Sequence, residues 1–143
     1  MRSLERPILL STLWIFVSLN YIYCDVLGLH DPVALQSVLD GGAEGVPLTP
    51  GFLLASSVLV EIPLAMVVVT RIARRPLSRV ASIVTAAFMV LVQVATLFIG
   101  VPSLSYAFFS AIEIATLAAI GLVAIRWSGA AQPVAAHEVR TLG

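Results

Sequence analysis

The chain has 143 residues, of which 59% are hydrophobic and 11% are charged, and its mean hydropathy of +1.03 lies outside the range of soluble globular domains. Eight basic and eight acidic residues give a formal net charge of zero. Basic patches interleaved with aromatic residues, which nucleic-acid binding requires, do not occur. The composition therefore predicts an integral membrane protein surrounded by the lipid bilayer, and it excludes nucleic acid as a partner.

Four apolar runs are long enough to cross a membrane. A helix needs about 20 apolar residues to span a hydrocarbon core about 30 Å thick, and the runs that reach this length are residues 8–29, 52–70, 80–100 and 103–125. Stretches such as AFMVLVQVATLFIG are apolar on every side, whereas helices of a soluble bundle carry a polar face. The sequence predicts an all-α membrane protein, with four transmembrane helices in an up-down antiparallel bundle that forms a single domain over residues 1–127.

The first run ends in a polar stretch, NYIYCD, over residues 20–25. At 100° per residue, its residues Asn20, Tyr21, Cys24 and Asp25 fall within an arc of about 140°. The other arc is aliphatic, so we expect the polar face to turn toward protein and the aliphatic face toward lipid. Cys24 is the single cysteine, and neither histidine stands at a metal-ligand spacing, so we expect no disulfide within the chain, no metal site and no cofactor.

The loop over residues 30–51 contains a helix signal of its own. Asp31 followed by Pro32 is typical of a helix N-cap with proline in the first turn, and Gly41 and Gly42 are expected to stop that helix. Because the segment between them carries apolar residues, such a helix would lie at the membrane interface. Two interpretations remain open for it, an ordinary connector and a lid over the mouth of the bundle.

All eight arginines fall on one side of the four predicted spans. They precede the first span, fill the link between the second and third, and follow the fourth, while the opposite loops carry Asp31, Asp40 and Glu44. By the positive-inside rule, both termini are cytoplasmic and the 30–51 loop faces outward. We therefore expect a multi-pass protein of the cell membrane, with a flexible cytoplasmic tail over residues 128–143.

The second and fourth spans share a short internal similarity. VEIPLAMVV in the second resembles IEIATLAAI in the fourth, and in each segment a glutamate, Glu61 or Glu113, lies between β-branched residues. Both segments enter the membrane from the same side. This pattern indicates two helical hairpins in one orientation, which is typical of a parallel repeat.

Polar residues from all four spans are expected at similar membrane depth. Counted at about 1.5 Å per residue, Asn20, Glu61 and Glu113 lie roughly 13 Å below the outer surface. Gln93 lies at about 10 Å and Asp25 at roughly 6 Å on the same count. Polar groups at such depth are costly and usually serve a function. The candidate residues for binding a ligand or a proton are therefore Glu61, Glu113, Asn20, Asp25, Gln93 and Tyr21.

Glu61 is the strongest single candidate, because Pro63 removes a backbone donor two residues later and loosens the helix nearby. If Glu61 and Glu113 approach each other, they would share a proton as a coupled pair. The functional interpretation is a buried carboxylate centre that binds or translocates protons or a small lipophilic molecule. The alternative is a neutral hydrogen-bonded clasp that holds the helices together. No motif identifies the ligand.

Three classes of function remain open. The first is a binding or transport module, which for a bundle of this size would work as a homodimer. The second is an intramembrane enzyme that uses Glu61 and Glu113 as acid and base on a lipophilic substrate, although no nucleophile or metal constellation supports it. The third is a structural or regulatory membrane subunit. The lack of a recognisable catalytic constellation favours a role other than catalysis.

Three segments carry a family resemblance. The stretch LWIFVSLNYIYCDVLGLHDP, the LVEIP segment and the AIEIATL segment together resemble a family of small bacterial four-helix integral membrane proteins of unknown function. The similarity extends from about Leu10 to Trp127, and NYIYCD is its most distinctive part. The resemblance implies the four-helix architecture and adds no substrate, cofactor or catalytic residue.

Overall fold

Helices dominate the computed structural model, which describes residues 2–43, 46–99 and 103–127. Within these ranges the helices are α1 (Arg2–Gly28), α2 (Pro32–Leu39), α3 (Pro50–Ile72), α4 (Arg75–Thr96) and α5 (Leu104–Ile125). A two-stranded antiparallel hairpin, β1 (Gly42–Ala43) and β2 (Val46–Pro47), follows α2. Helices α1, α3, α4 and α5 are each long and apolar enough to cross a membrane. The predicted all-α four-helix bundle of a membrane protein is therefore confirmed.

The four long helices pack as a closed ring. α1 lies against α3 and α5, while α4 lies against α5 and, through a smaller interface, against α3. α1 is therefore diagonal to α4, and α3 is diagonal to α5. The largest interfaces join α1 to α3 and α4 to α5, which are the two hairpins that the internal similarity indicates. A repeat relation between these hairpins stays a prediction.

Arginine side chains gather at one end of the bundle, which we call the arginine end. There Arg6 donates a hydrogen bond to the carbonyl oxygen of Arg126, and Arg79 Nε donates to that of Ala124 at 3.1 Å. The arginines thus satisfy carbonyl groups that the C-terminus of α5 leaves without helical partners. The opposite end carries α2 and the hairpin, and we call it the loop end.

Two hydrogen bonds set the register of α4 against α5. One is the bond from Arg79 to Ala124, and the other is donated by Gln93 Nε2 to Ser110 Oγ at 2.8 Å. The donors and the acceptors are both 14 residues apart along their helices. The two helices therefore run antiparallel in one constant register over most of their length.

Short polar side chains stand at the beginnings of three helices. Asp31, Thr49 and Ser103 are the N-caps of α2, α3 and α5, and each side chain accepts a hydrogen bond from a backbone N–H of the first turn. Pro32 follows the first of these caps. After α2, Gly41 has a φ of 86°, a left-handed conformation that glycine adopts at little cost, and the chain there turns into the hairpin.

The boundaries of α4 differ from those of the third apolar run. α4 begins at Arg75, before the predicted start at Val80, because Pro76 is well placed in the first turn of a helix. It ends at Thr96, before the apolar run does. Hydrophobicity marks the part of a helix that suits lipid, whereas capping and hydrogen bonding mark its ends. The predicted tail over residues 128–143 lies outside the described residues.

The buried apolar side chains form one cluster, which includes Trp14, a side chain that is 0% exposed. The other members are Leu10, Val17, Met66, Ala86, Met89, Leu117, Ile120, Ala124 and Trp127. On the outside of the ring, large apolar side chains such as Phe16, Val68 and Leu91 stay exposed. This outer surface suits lipid, where helices associate through packing and hydrogen bonds rather than through the hydrophobic effect.

Candidate functional site

Glu113 is a deeply buried acidic side chain in the interior of the ring. It is 1% exposed, and its Oε1 atom has no hydrogen-bond partner within the described chain. It shares the buried face of α5 with Ser110, Thr116 and Leu117. A charge at membrane depth costs several kcal/mol. A carboxyl group in this position therefore has to be protonated, hydrated or paired with a cation.

Two side chains of α1 lie near this carboxyl group. The Tyr21 hydroxyl and the Asp25 carboxyl group each interact electrostatically with Glu113. The Tyr21 hydroxyl is buried and has no hydrogen-bond partner in the described part of the protein, while Asp25 is exposed. Because Tyr21 and Asp25 are four residues apart, they occupy one face of α1. One face of α1 therefore carries a hydroxyl and a carboxyl group that both interact with Glu113, and the carboxyl group lies closer to the loop end.

Hydrogen bonds between α4 and α5 lie on the loop-end side of Glu113. Gln93 Nε2 donates to Ser110 Oγ, and both side chains are buried. Closer to the loop end, Tyr106 Oη donates to Thr96 Oγ1 at 2.8 Å, and Tyr106 also interacts electrostatically with Tyr21. A hydrogen bond between membrane helices contributes about 0.6 kcal/mol on average. These bonds therefore fasten the α4–α5 contact next to the buried carboxyl group.

Glu61 lies apart from this cluster. Its side chain is exposed, whereas the buried residues of α3 are Pro63, Met66 and Thr70. At 100° per residue, Glu61 and Thr70 point in opposite directions, about 180° apart. Within one chain, the structure therefore does not bring Glu61 next to Glu113. It also turns Pro63 toward the interior while Glu61 faces outward.

The side chain of Asn20 makes its hydrogen bond within its own helix. Its side chain is half-buried, and Nδ2 donates to the carbonyl oxygen of Phe16 at 2.9 Å, one turn earlier in α1. The neighbouring Tyr21 is the residue of this pair that interacts with Glu113. The candidates that the structure gathers around the interior carboxyl group are thus Tyr21, Asp25, Gln93 and Glu113.

Three further polar side chains take part in the hydrogen bonds near Glu113 and were not among the sequence candidates. They are Thr96, Tyr106 and Ser110. Ser110 precedes Glu113 by three residues, and Thr96 follows Gln93 by three. Side chains at that spacing are neighbours on a helix surface. A search for polar residues three or four positions from each buried candidate would therefore have found Ser110 and Thr96.

An open cleft lies between α2 and the hairpin. This open cleft is lined by residues that include Pro32, Val33, Gln36, Asp40 and Pro47. Gln36 Nε2 donates to Asp40 Oδ1 at 3.0 Å within it. The residues around Glu113 take no part in its lining. Among the described residues, no group of three His, Cys, Asp or Glu side chains could hold a metal ion.

The fold and the interior acid define a class, a small multi-pass membrane protein built as a four-helix bundle around a buried carboxyl group. A family model described as a family of unknown function, DUF6326, matches residues 3–133, and the chain belongs to this family. Neither a curated protein nor a solved structure matches the chain. The resemblance to an uncharacterised family is thereby confirmed, and it assigns no activity.

Proposed function

We propose that this protein binds a proton reversibly at Glu113, within a centre formed by Tyr21, Asp25, Gln93 and Glu113. One observation carries the proposal. Glu113 Oε1 and the Tyr21 hydroxyl are both buried and interact electrostatically, yet neither makes a hydrogen bond within the described chain. Two such groups cost free energy unless something occupies their hydrogen-bonding positions.

The arginine side chains that the structure describes support a proton as the ligand. They lie toward the arginine end, where Arg79 bonds to the carbonyl oxygens of Ala124 and Ile125. Ala124 is about 16 Å along α5 from Glu113. A carboxyl group this far from these cations can offset its burial by taking up a cation from outside. A proton is the cation that needs the least space, and buried acids of membrane bundles commonly bind it.

Asp25 and Tyr21 suggest the direction from which the proton arrives. Asp25 is exposed near the loop end, and Tyr21 lies one turn deeper on the same face of α1. Both interact electrostatically with Glu113. An exposed carboxyl group can exchange protons with water, and a phenol can relay a proton to a buried acid. We therefore assign proton entry to the loop end.

The proposal is tested by infrared spectroscopy of the protein in lipid bilayers. The wild-type protein should show a carbonyl stretching band of a protonated carboxyl group that disappears on titration to high pH, and E113Q should lack that band. Glutamine keeps the shape and hydrogen-bonding capacity of the side chain but cannot titrate. E61Q is the matched control, because it makes the same change on the exposed face of α3, and it should keep the Glu113 band.

Two results would contradict the assignment. A titrating band that survives in E113Q and disappears in E61Q would move the proton site to Glu61. A wild-type spectrum with no titrating carboxyl band besides those of exposed acids would remove the proton-binding function altogether. Circular dichroism of both variants should match that of the wild type, because neither substitution changes side-chain volume appreciably.

We also propose that a second copy of the chain covers Glu61. Its side chain is exposed in the middle of α3, a depth at which acids usually face protein or water. An axis along the membrane normal would place Glu61 of two copies at the same depth, where a protonated carboxyl group both donates and accepts a hydrogen bond. Ser57 and Ala65, one turn to either side, are exposed and small enough for two helices to approach closely.

Disulfide crosslinking tests this homodimer. In a Cys24→Ala background, Ala65→Cys should form a covalent dimer on oxidation in the membrane, because the interface would bring the two α3 helices together. Thr12→Cys, on the exposed face of α1, is the control and should stay monomeric. Equal crosslinking of the two variants, or none in either, would contradict a dimer through α3.

The orientation in the membrane is a further part of the proposal. We assign the arginine end to the cytoplasm and the loop end to the outside, in the cell membrane. The support is the segregation of all eight arginines to one side of the four spans, which is the pattern of the positive-inside rule. On this assignment, the proton reaches Glu113 from outside the cell.

A further inference from the structure

The half of the bundle toward the arginine end contains three buried polar atoms without a hydrogen-bond partner in the described chain. They are Trp14 Nε1, Ser78 Oγ and Ser82 Oγ, and all three side chains are 0% exposed. Buried polar groups in proteins are satisfied in the great majority of cases, by protein or by ordered water. Three such groups in one half of a small bundle therefore need partners that the described chain does not supply.

The two serines differ from three other buried hydroxyl groups of the bundle. Ser18, Thr70 and Thr116 each donate a hydrogen bond to the carbonyl oxygen four residues earlier in their own helix. That bond is the usual way for a hydroxyl group to be satisfied inside a membrane helix. Ser78 and Ser82 do not make it. Both hydroxyls lie on the buried face of α4, one turn apart.

The register of α4 and α5 places Ser82 beside a glycine. Because Arg79 is level with Ala124, Ser82 three residues later is level with Gly121. Gly121 follows Ser110 by three turns and so shares the face of α5 that contacts α4. A Cβ atom built on Gly121 would meet no heavy atom within 4 Å. The space beside Gly121, at the level of Ser82, is therefore unfilled, and a water molecule needs such space together with polar partners.

Trp14 reaches the same level from the diagonal helix. Along α1 it lies about midway between Arg6, which bonds at the C-terminus of α5, and Tyr21, which interacts with Glu113. That midpoint is level with the stretch of α5 around Ile120 and Gly121. The indole N–H of Trp14 and the hydroxyl of Ser82 are thus buried on diagonal helices at about the same depth. A donor and an acceptor placed in this way suit a bridging water.

Further polar groups lie between the level of Ser82 and Trp14 and the level of Glu113. The distance along α5 from Gly121 to Glu113 is about 12 Å, and Thr116 lies between them on the buried face. On α1, Ser18 follows Trp14 by one turn and is 2% exposed. The longest step along the bundle axis, from the level of Gly121 to Thr116, is about 7.5 Å. Steps of this length can be joined by one or two water molecules.

We propose that Ser78, Ser82 and Trp14 hold a file of water that connects the arginine end to Glu113. This inference rests on the proposed proton site and adds a second access route to it, from the side opposite Asp25. A proton bound at Glu113 from the loop end can then leave through the water file toward the arginine end. The protein thereby becomes a route for protons across the membrane rather than a site open to one side.

Hydrogen exchange at the Trp14 indole tests whether water is present. In ¹⁵N-tryptophan-labelled protein in lipid nanodiscs, Trp127→Phe leaves the Trp14 indole as the single indole resonance. Transfer to D₂O should exchange this N–H rapidly although the side chain is 0% exposed. Adding Ser78→Ala and Ser82→Ala should slow the exchange by at least about tenfold, because an apolar cavity stays dry. Ser105→Ala, at an exposed serine on α5, should leave it unchanged.

The same samples separate this inference from the proposed function. If the indole of Trp14 is protected as strongly in the wild type as in the double serine variant, the water file is absent, whatever Glu113 does. If the indole exchanges rapidly but no Glu113 band titrates, the file exists and the proton site is wrong. If both hold, proton flux into pyranine-loaded liposomes should fall by about tenfold or more in the double variant while the Glu113 band still titrates.

Discussion

Trp14→Ala is expected to lower the free energy of unfolding by about 3 kcal/mol, the low end of the range for truncating a buried aromatic residue. Trp14 is 0% exposed and belongs to the buried apolar cluster. In a soluble protein, the loss would include the transfer of the side chain out of water. Unfolded transmembrane helices remain in hydrocarbon, so the loss here comes mainly from the cavity and from the missing packing contacts.

Detergent-induced unfolding in bicelles, followed by circular dichroism, measures this loss. Trp14→Phe keeps most of the ring volume and should cost less than about 1.5 kcal/mol. Phe98→Ala is the surface control, because Phe98 is 83% exposed, and it should change stability by less than about 0.5 kcal/mol. A Trp14→Ala loss as small as that of Phe98→Ala would contradict the position of Trp14 in the core.

Cysteine labelling is expected to give an all-or-none difference between the two ends of the bundle. In a Cys24→Ala background, Val33→Cys in α2 should react with a membrane-impermeant maleimide in intact cells. Ile72→Cys at the end of α3 should react only after the membrane is permeabilised. The two positions are matched in exposure, at 79% and 78%, so a difference in labelling reports the side of the membrane rather than local burial.

The arginines explain why the two positions should differ completely in labelling. Four of them lie in the short link RIARRPLSR between the second and third spans. A short link with this many basic residues is retained on the cytoplasmic side. Labelling of Ile72→Cys but not Val33→Cys in intact cells would show the opposite orientation. Labelling of both positions in intact cells would contradict a single orientation in the membrane.

The candidate site shows where prediction from sequence stops. Depth along a helix follows from counting residues, so Glu61 and Glu113 are correctly placed in the middle of their helices from the sequence alone. Rotation about the helix axis does not follow in the same way, because α3 and α5 are apolar on nearly every side and lack a polar face that would indicate their orientation. Pro63 makes Glu61 the stronger candidate in the sequence, yet the structure buries Pro63 and leaves Glu61 exposed.

The loop end shows a different limit. Asp31 and Pro32 indicate the start of α2, because an N-cap is a local interaction within a few residues. The hairpin that follows has strands of only two residues each, too short for an alternating pattern to appear in the sequence. Gly41, with its left-handed backbone, is the one local sign that the chain turns there.

The sequence by itself determined the class of protein and its all-α architecture, through its composition, its four apolar runs and its helix caps. Membrane insertion depends on the surrounding solvent, and helix ends depend on short-range hydrogen bonds, so both can be read from local sequence. The tertiary structure alone decided which acid is enclosed. The packing of Pro63, Met66 and Thr70 into the ring turns Glu61 outward, while Glu113 shares the buried face of α5. In lipid, an apolar helix gains little from one rotation over another until it meets its neighbours, so side-chain packing between helices makes that choice.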